Sequence, residues 1–225
     1  MCFSAEASFG AAAVLAVAGV ISIKKASTFP QRVFAVIPLF FAIQQFIEGL
    51  LWLVLKNPAY FEYKVPLIIG FLLFAWLIWP VYIPFSMALF EKNTVRRKIL
   101  LSFLGIGFLL ILGFLYMIVF QHPDASAANL HIKYTFGFVP PVNWLWGIIY
   151  LFPTVVSMII SSAKKMWIMG IINLCSYIFS IIYFQGNVLS VWCFFGALGS
   201  VFVIWYIIKL NGHALQDVPD NKQMA

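Results

Sequence analysis

The chain has 225 residues, of which 64% are hydrophobic and 9% charged, with a net charge of +7. An ordinary soluble domain carries about 25% charged residues, so this composition excludes a water-soluble fold. The basic surplus does not mark a nucleic-acid-binding protein either, because the 14 Lys and Arg gather between long apolar blocks.

A hydrocarbon core about 30 Å thick is crossed by roughly 20 apolar residues in helical conformation. Seven blocks meet that requirement, at residues 5–23, 33–55, 65–90, 99–120, 143–162, 166–184 and 188–210. They predict an all-α polytopic membrane protein, a seven-helix transmembrane domain over 1–210 with a polar tail over 211–225. The alternating ten-residue segments of a transmembrane barrel are absent. The first block has no basic stretch before it and is followed by Lys24 and Lys25, an order expected of a retained helix and not of a cleaved signal peptide.

The charges also predict a threading. Lys24, Lys25, Arg32, Lys92, Arg96, Arg97, Lys98, Lys164, Lys165, Lys209 and Lys222 fall on one side, and only Lys56, Lys64 and Lys133 on the other. By the positive-inside rule the N-terminus is expected outside and the C-terminal tail in the cytoplasm. Residues 121–142 then form the one long outer connection, and long connections in compact proteins are often functional.

Helix one opens MCFSAEASF, where Ser4 and Ser8 are placed to cap or hydrogen-bond the first turn and Glu6 to favour the positive end of the helix dipole. Helix two contains FFAIQQFIEGLLWL. Gln44 and Glu48 are four residues apart, and Gln45, Glu48 and Trp52 follow at three and four, so all share a face. A carboxyl facing hydrocarbon is costly, by about 2.5–3.5 kcal/mol on the lenient insertion scale, so this face is expected to look into the bundle. Glu48 sits about 10 Å below the Lys56 boundary, at the depth expected for Glu6. Helix five, NWLWGIIYLFPTVVS, carries Asn143, Trp144 and Trp146 at the interface and Tyr150 deeper, with a bend expected at Pro153. Asn173, Ser176 and Tyr177 of helix six offer a further polar edge, and Cys175 reads as a small buried hydrophobe. Helix seven, VLSVWCFFGALGS, adds Ser190, Trp192 and Cys193 near its outer end, with Gly196 and Ser200 as a close-packing pair.

These residues together predict an outward-opening polar pocket in an apolar wall, with Ser4, Glu6, Gln44, Gln45, Glu48, Trp52, Tyr150 and Trp192 as ligand-binding candidates. Cys2, His131 and Cys193 are candidate metal ligands on the same side, by the chemistry of thiolate and imidazole donors. The alternatives for the cysteines are a Cys2–Cys193 disulfide in an oxidising compartment or free thiols. Two seven-helix chemistries are excluded. Every Lys falls at a boundary or in a loop, so none is buried in a helix to carry a retinal Schiff base, and of the three histidines His213 lies on the tail, away from His122 and His131, so a three-His zinc site is unavailable on one face. The tripeptide HPD at 122–124 lacks the soluble hairpin that gives it meaning elsewhere.

The stretches MCFSAEASF, QQFIEGLLW and SVWCFF resemble an uncharacterised bacterial family of small multi-helix membrane proteins that begin MCFSAxxSF. The resemblance covers most of the chain and implies a membrane protein, in the bacterial cytoplasmic (inner) membrane, with no known reaction or cofactor attached. The expected partners are the lipid bilayer and a small ligand, lipid or cation, without nucleic acid, and with an oligomer or partner subunit as an option. The residues support first a sensor or transport-related protein holding a ligand in the outer pocket. The alternatives are an intramembrane enzyme acting on a lipid-like substrate, with Glu48 and Glu6 as acid and base or as metal ligands, and a structural partner subunit.

Overall fold

The computed structural model describes residues 4–128, 131–137 and 143–216. It is helical almost throughout, and six helical stretches are long and apolar enough to cross a membrane: Ala5–Lys25, Phe29–Lys56, Pro58–Phe90, Thr94–Phe120, Met166–Tyr183 and Val188–Leu210. A seventh, Leu145–Ile160, is apolar but shorter. The all-α polytopic membrane architecture read from the blocks is the one observed.

Prolines set the interruptions. Helix α1 (Ala5–Lys25) is followed by α2 (Phe29–Ala35), capped by Thr28, and by α3 (Ile37–Lys56). The break at Val36 follows from Pro38, whose ring would clash with the carbonyl of Phe34 in a continuous helix. The third span comprises a 3-10 turn (Pro58–Tyr63), α4 (Lys64–Leu72), a π-helical turn (Leu73–Ile78) and α5 (Trp79–Phe90). In the π turn the Trp79 N–H donates to Phe74, and Pro80 has no N–H to give, so the carbonyl of Ala75 is left without a helical donor. Pro84 similarly deprives the Pro80 carbonyl of its donor.

Helix α6 (Thr94–Phe120) exploits that gap, for a Cβ added at Gly107 would stand 2.1 Å from the Pro80 oxygen. Only glycine permits this approach. Helices α7 (Asn143–Leu151) and α8 (Ser157–Ile160) are joined by a second π turn, Phe152–Val156, at the proline where a bend was expected. Helices α9 (Met166–Tyr183), α10 (Val188–Gly199) and α11 (Val201–Gln216) complete the bundle.

Helix α1 lies along α3 through a stripe of small residues, Ala5, Ser8, Ala12 and Ala18, with Gly19 against Leu39 and Gly49 against Phe9. One apolar cluster, with Phe34, Ile37, Met87, Leu100, Met166 and Ile207 buried, sits toward the end rich in lysine and arginine. A second holds Leu51, Ile68, Phe71, Leu72 and Ile132 at the opposite end. A Cβ added at Gly196 would stand 3.0 Å from the Phe41 ring, so it is a packing position, as its spacing with Ser200 suggested.

The 121–142 connection holds something the sequence reading did not anticipate. Strands β1 (Asp124–Ala128) and β2 (His131–Thr135) pair antiparallel, Asp124 opposite Thr135 and Ala128 opposite His131. Ile132, Tyr134 and Phe136 alternate inward, with Ile132 fully buried and Tyr134 stacked on Phe71 at 4.8 Å. Lys64 Nζ reaches Asp124 at 2.6 Å, tying the hairpin to the start of α4.

Candidate functional site: a buried polar cluster beside an aromatic cavity

The glutamines and glutamate of α3 are fully buried and tie it to its neighbours. Gln44 Oε1 accepts a 2.9 Å hydrogen bond from the Trp79 indole N–H of α5. Gln45 Nε2 donates to Glu48 Oε2 at 3.2 Å, and the Ser190 hydroxyl of α10 donates to Glu48 Oε1 at 2.6 Å. Hydrogen bonds to a carboxyl from neighbouring helices replace the solvation that the interior withholds. Gln45 Oε1, Gln44 Nε2 and the Ser8 hydroxyl are buried with no hydrogen-bond partner among the described residues. Ser8 precedes Phe9, the ring that packs on Gly49, so it stands at the level of Glu48.

Next to this cluster lies a cavity of about 530 Å³ between the π turn of the third span, α6, α7, α9 and α10, with Phe136 of the hairpin at one end. Its walls are overwhelmingly apolar. Trp76 is sandwiched between Phe114 and Phe136, each 4.8 Å away centroid to centroid. Tyr150 donates its hydroxyl proton to the carbonyl of Ala75, the group that the π turn and Pro80 leave unsatisfied. Trp192 is fixed by a 2.7 Å hydrogen bond from its indole N–H to Asn173 Oδ1, and Tyr150 and Tyr177 pack against its ring at 5.6 and 4.6 Å. Gly113 and Gly147 leave the space open, and Tyr116 and Trp146 stand exposed at its rim. The cavity therefore opens on the outer surface of the bundle, where acyl chains would lie. A smaller void of about 50 Å³ adjoins it and shares Tyr150, Trp192 and Cys193.

Cys193 forms the partition. Its thiol lines the cavity, faces the Gln44 amide and lies within electrostatic range of Glu48. Of the residues singled out in the sequence, Trp146, Tyr150, Tyr177, Trp192 and Cys193 share the cavity wall, while Gln44, Gln45 and Glu48 stand together behind it. The polar pocket expected from the sequence is thus two adjoining features, an apolar cavity and a buried polar cluster.

Others lie elsewhere. Ser4 is the N-cap of α1, accepting from the Ala7 N–H at 3.2 Å. Glu6 is exposed on the first turn of α1 and does not join Glu48, which corrects the expected meeting of the two carboxyls. The reason is helical phase: Ala5, Ser8 and Ala12 form the buried stripe, and Glu6 is about 100° away from Ala5. Trp52 is buried in the second apolar cluster with Lys56 Nζ 5.9 Å from its ring.

His131 packs edge-on against Phe184 at 4.8 Å, and burial pushes its imidazole below the ordinary value. Among the described residues no three His, Cys, Asp or Glu side chains converge as metal ligands would. Cys193 carries a free thiol among the described residues, and Cys2, its expected disulfide partner, lies outside them. Cys175 is also free but exposed on α9, not buried.

The cavity aromatics not singled out in the sequence are Trp76, Phe114, Tyr116 and Phe136, while Trp146 and Tyr177 read there as an interfacial anchor and part of a polar edge. Aromatics inside apolar blocks look alike whether they face lipid or a void. The one available signal was the alternation of Ile132, Tyr134 and Phe136, a strand pattern inside a supposed loop.

Fold and site together define an all-α polytopic membrane protein with a hairpin-ended aromatic cavity beside a buried carboxyl cluster. The chain belongs to DUF6629, a family of unknown function, whose model matches residues 1–216. This agrees with the resemblance to an uncharacterised family. No curated protein and no solved structure matches the chain.

Proposed function

We propose that this protein binds an apolar or amphipathic small molecule within the bilayer, in the cavity framed by Trp76, Tyr150 and Trp192, as a sensor or transport-related component. The observation that carries this reading is the cavity itself, about 530 Å³ in volume and lined by eight aromatic side chains. Sites for small molecules are concave, mostly apolar and of roughly 300–1,000 Å³, with a few polar groups fixing orientation. Here those groups are the Tyr177 hydroxyl and the Cys193 thiol. Aromatic walls favour planar or chain-like apolar guests. The cluster around Glu48 has a supporting role, since its bonds to α10 and α5 hold Cys193 and the π turn in register with the cavity.

A diazirine-bearing fatty acid, photoactivated in nanodiscs containing the protein, tests this. Labelling is expected on the α10 peptide containing Trp192 and Cys193, and it is expected to disappear in Gly113→Phe. A Cβ at Gly113 meets only the Trp146 ring at 3.7 Å, so a larger side chain there plugs the cavity without striking backbone. Labelling confined to the lipid-facing side of α6, at Phe108 and Leu112, and unchanged by the plug would overturn the reading.

A further inference from the structure

At the basic end of the bundle, among residues that do not line the cavity, two ammonium groups share one indole. Lys165 Nζ lies 5.4 Å and Lys209 Nζ 5.0 Å from the centroid of Trp205. The two side chains reach each other, and Lys164 adds a third positive charge nearby. Lys165 is held there by a left-handed backbone turn, φ +66°, at the residue that opens α9. Among the described residues none of the three forms an ion pair with a carboxylate. Glu91, which reaches the connection just before Lys164 and Lys165, is already engaged by Ser162 and Asn93.

Cations over an aromatic face gain from its quadrupole, but two like charges in contact repel. An anion bridging them removes the repulsion and keeps the ring contacts. What lies alongside the pair selects the kind of anion. Trp205 is 42% exposed, and Val201 and Ile208 on α11 are also exposed, so an open apolar strip runs beside the cations within the last turns of a membrane span. Free phosphate makes no use of such a strip, whereas acyl chains cover it. Basic pockets between helices at a membrane surface are suited to lipid head groups.

We propose that Lys165 and Lys209, with Lys164 beside them and Trp205 beneath, form a binding site for the phosphate head group of an anionic phospholipid. The site is separate from the cavity and stands whether or not the cavity takes a guest.

Native mass spectrometry of the detergent-purified full chain, titrated with phosphatidylglycerol or phosphatidylcholine, tests it. Phosphatidylglycerol is expected to form the tighter first adduct, weakened about fivefold for each lysine lost in Lys165→Gln and Lys209→Gln. Lys24→Gln with Lys25→Gln, at the same end of the bundle, is expected to leave that adduct unchanged. Lys209→Gln alone, at an exposed position, keeps the test available where the double variant fails to fold. Equal binding of the two lipids, an equal loss in the Lys24 and Lys25 control, or displacement of the lipid by inorganic phosphate at matching concentration would each overturn the proposal.

Discussion

The Ser190 hydroxyl of α10 donates a 2.6 Å hydrogen bond to Glu48 Oε1 in the middle of α3, joining two spans 142 residues apart in sequence. Both side chains are fully buried. Glu48→Leu removes the acceptor and strands Ser190 and Gln45, at a cost of about 1–3 kcal/mol for buried groups left unmade. Glu48→Gln keeps an acceptor for Ser190 and is expected to be milder. Thermal unfolding in one detergent ranks the two. Equal stability of Glu48→Leu and the parent would show that the bond does not tie the helices.

Gly107 and Gly105, two residues apart on α6, provide a paired test of the α5–α6 contact. Gly107→Ala drives a methyl to 2.1 Å from the Pro80 carbonyl, while Gly105→Ala meets nothing within 4 Å. The first is expected to destabilise by about 1–3 kcal/mol through overpacking. The second is expected to be neutral or slightly stabilising, as alanine is the better helix former. Unfolding midpoints that move together would contradict this account of the interface.

Glu91, just beyond the end of α5, clamps the connection before α9. Its carboxylate accepts from the Ser162 N–H at 2.7 Å, from the Ser162 hydroxyl, and from the Asn93 N–H at 2.9 Å. Burial by itself would raise its pKa, but these hydrogen bonds and the nearby Arg96 outweigh it and hold the group below the ordinary 4.5. A folded-state pKa below the unfolded one adds stability above the unfolded value, and that stability is lost as pH falls through the folded value. Stability is therefore expected to decline on the acid side of 4.5, and Glu91→Gln should flatten that part of the profile.

The long apolar blocks were legible because a bilayer admits few spanning structures, and Pro153 marked one place where a helix widens, while the interruptions at Pro38 and Pro80 were not read. The burial of Gln44, Gln45 and Glu48 was legible for the same reason: lipid makes polar side chains turn inward. The hairpin was not, since Asp124–Ala128 is made of small and polar residues with no strand signature and only β2 alternates. Glu6 failed for want of phase, because its depth was readable and its direction was not. The cavity was the least legible, as a void is a property of several helices at once.

The threading rests on the distribution of charge. The account expects the N-terminus outside and the C-terminus in the cytoplasm. Compartment-sensitive reporters fused at position 129 and after position 225 should report opposite sides, and the same side from both would reject the arrangement.

The cavity as a ligand site is the central claim, and the most direct measurement is an experimental density map of the full chain in nanodiscs made with native lipid extract, beside one of Gly113→Phe. The account predicts non-protein density against Trp76, Tyr150 and Trp192 in the parent chain and its loss in the plugged variant. A parent cavity closed by repacked side chains, or one equally empty in both maps, would contradict it.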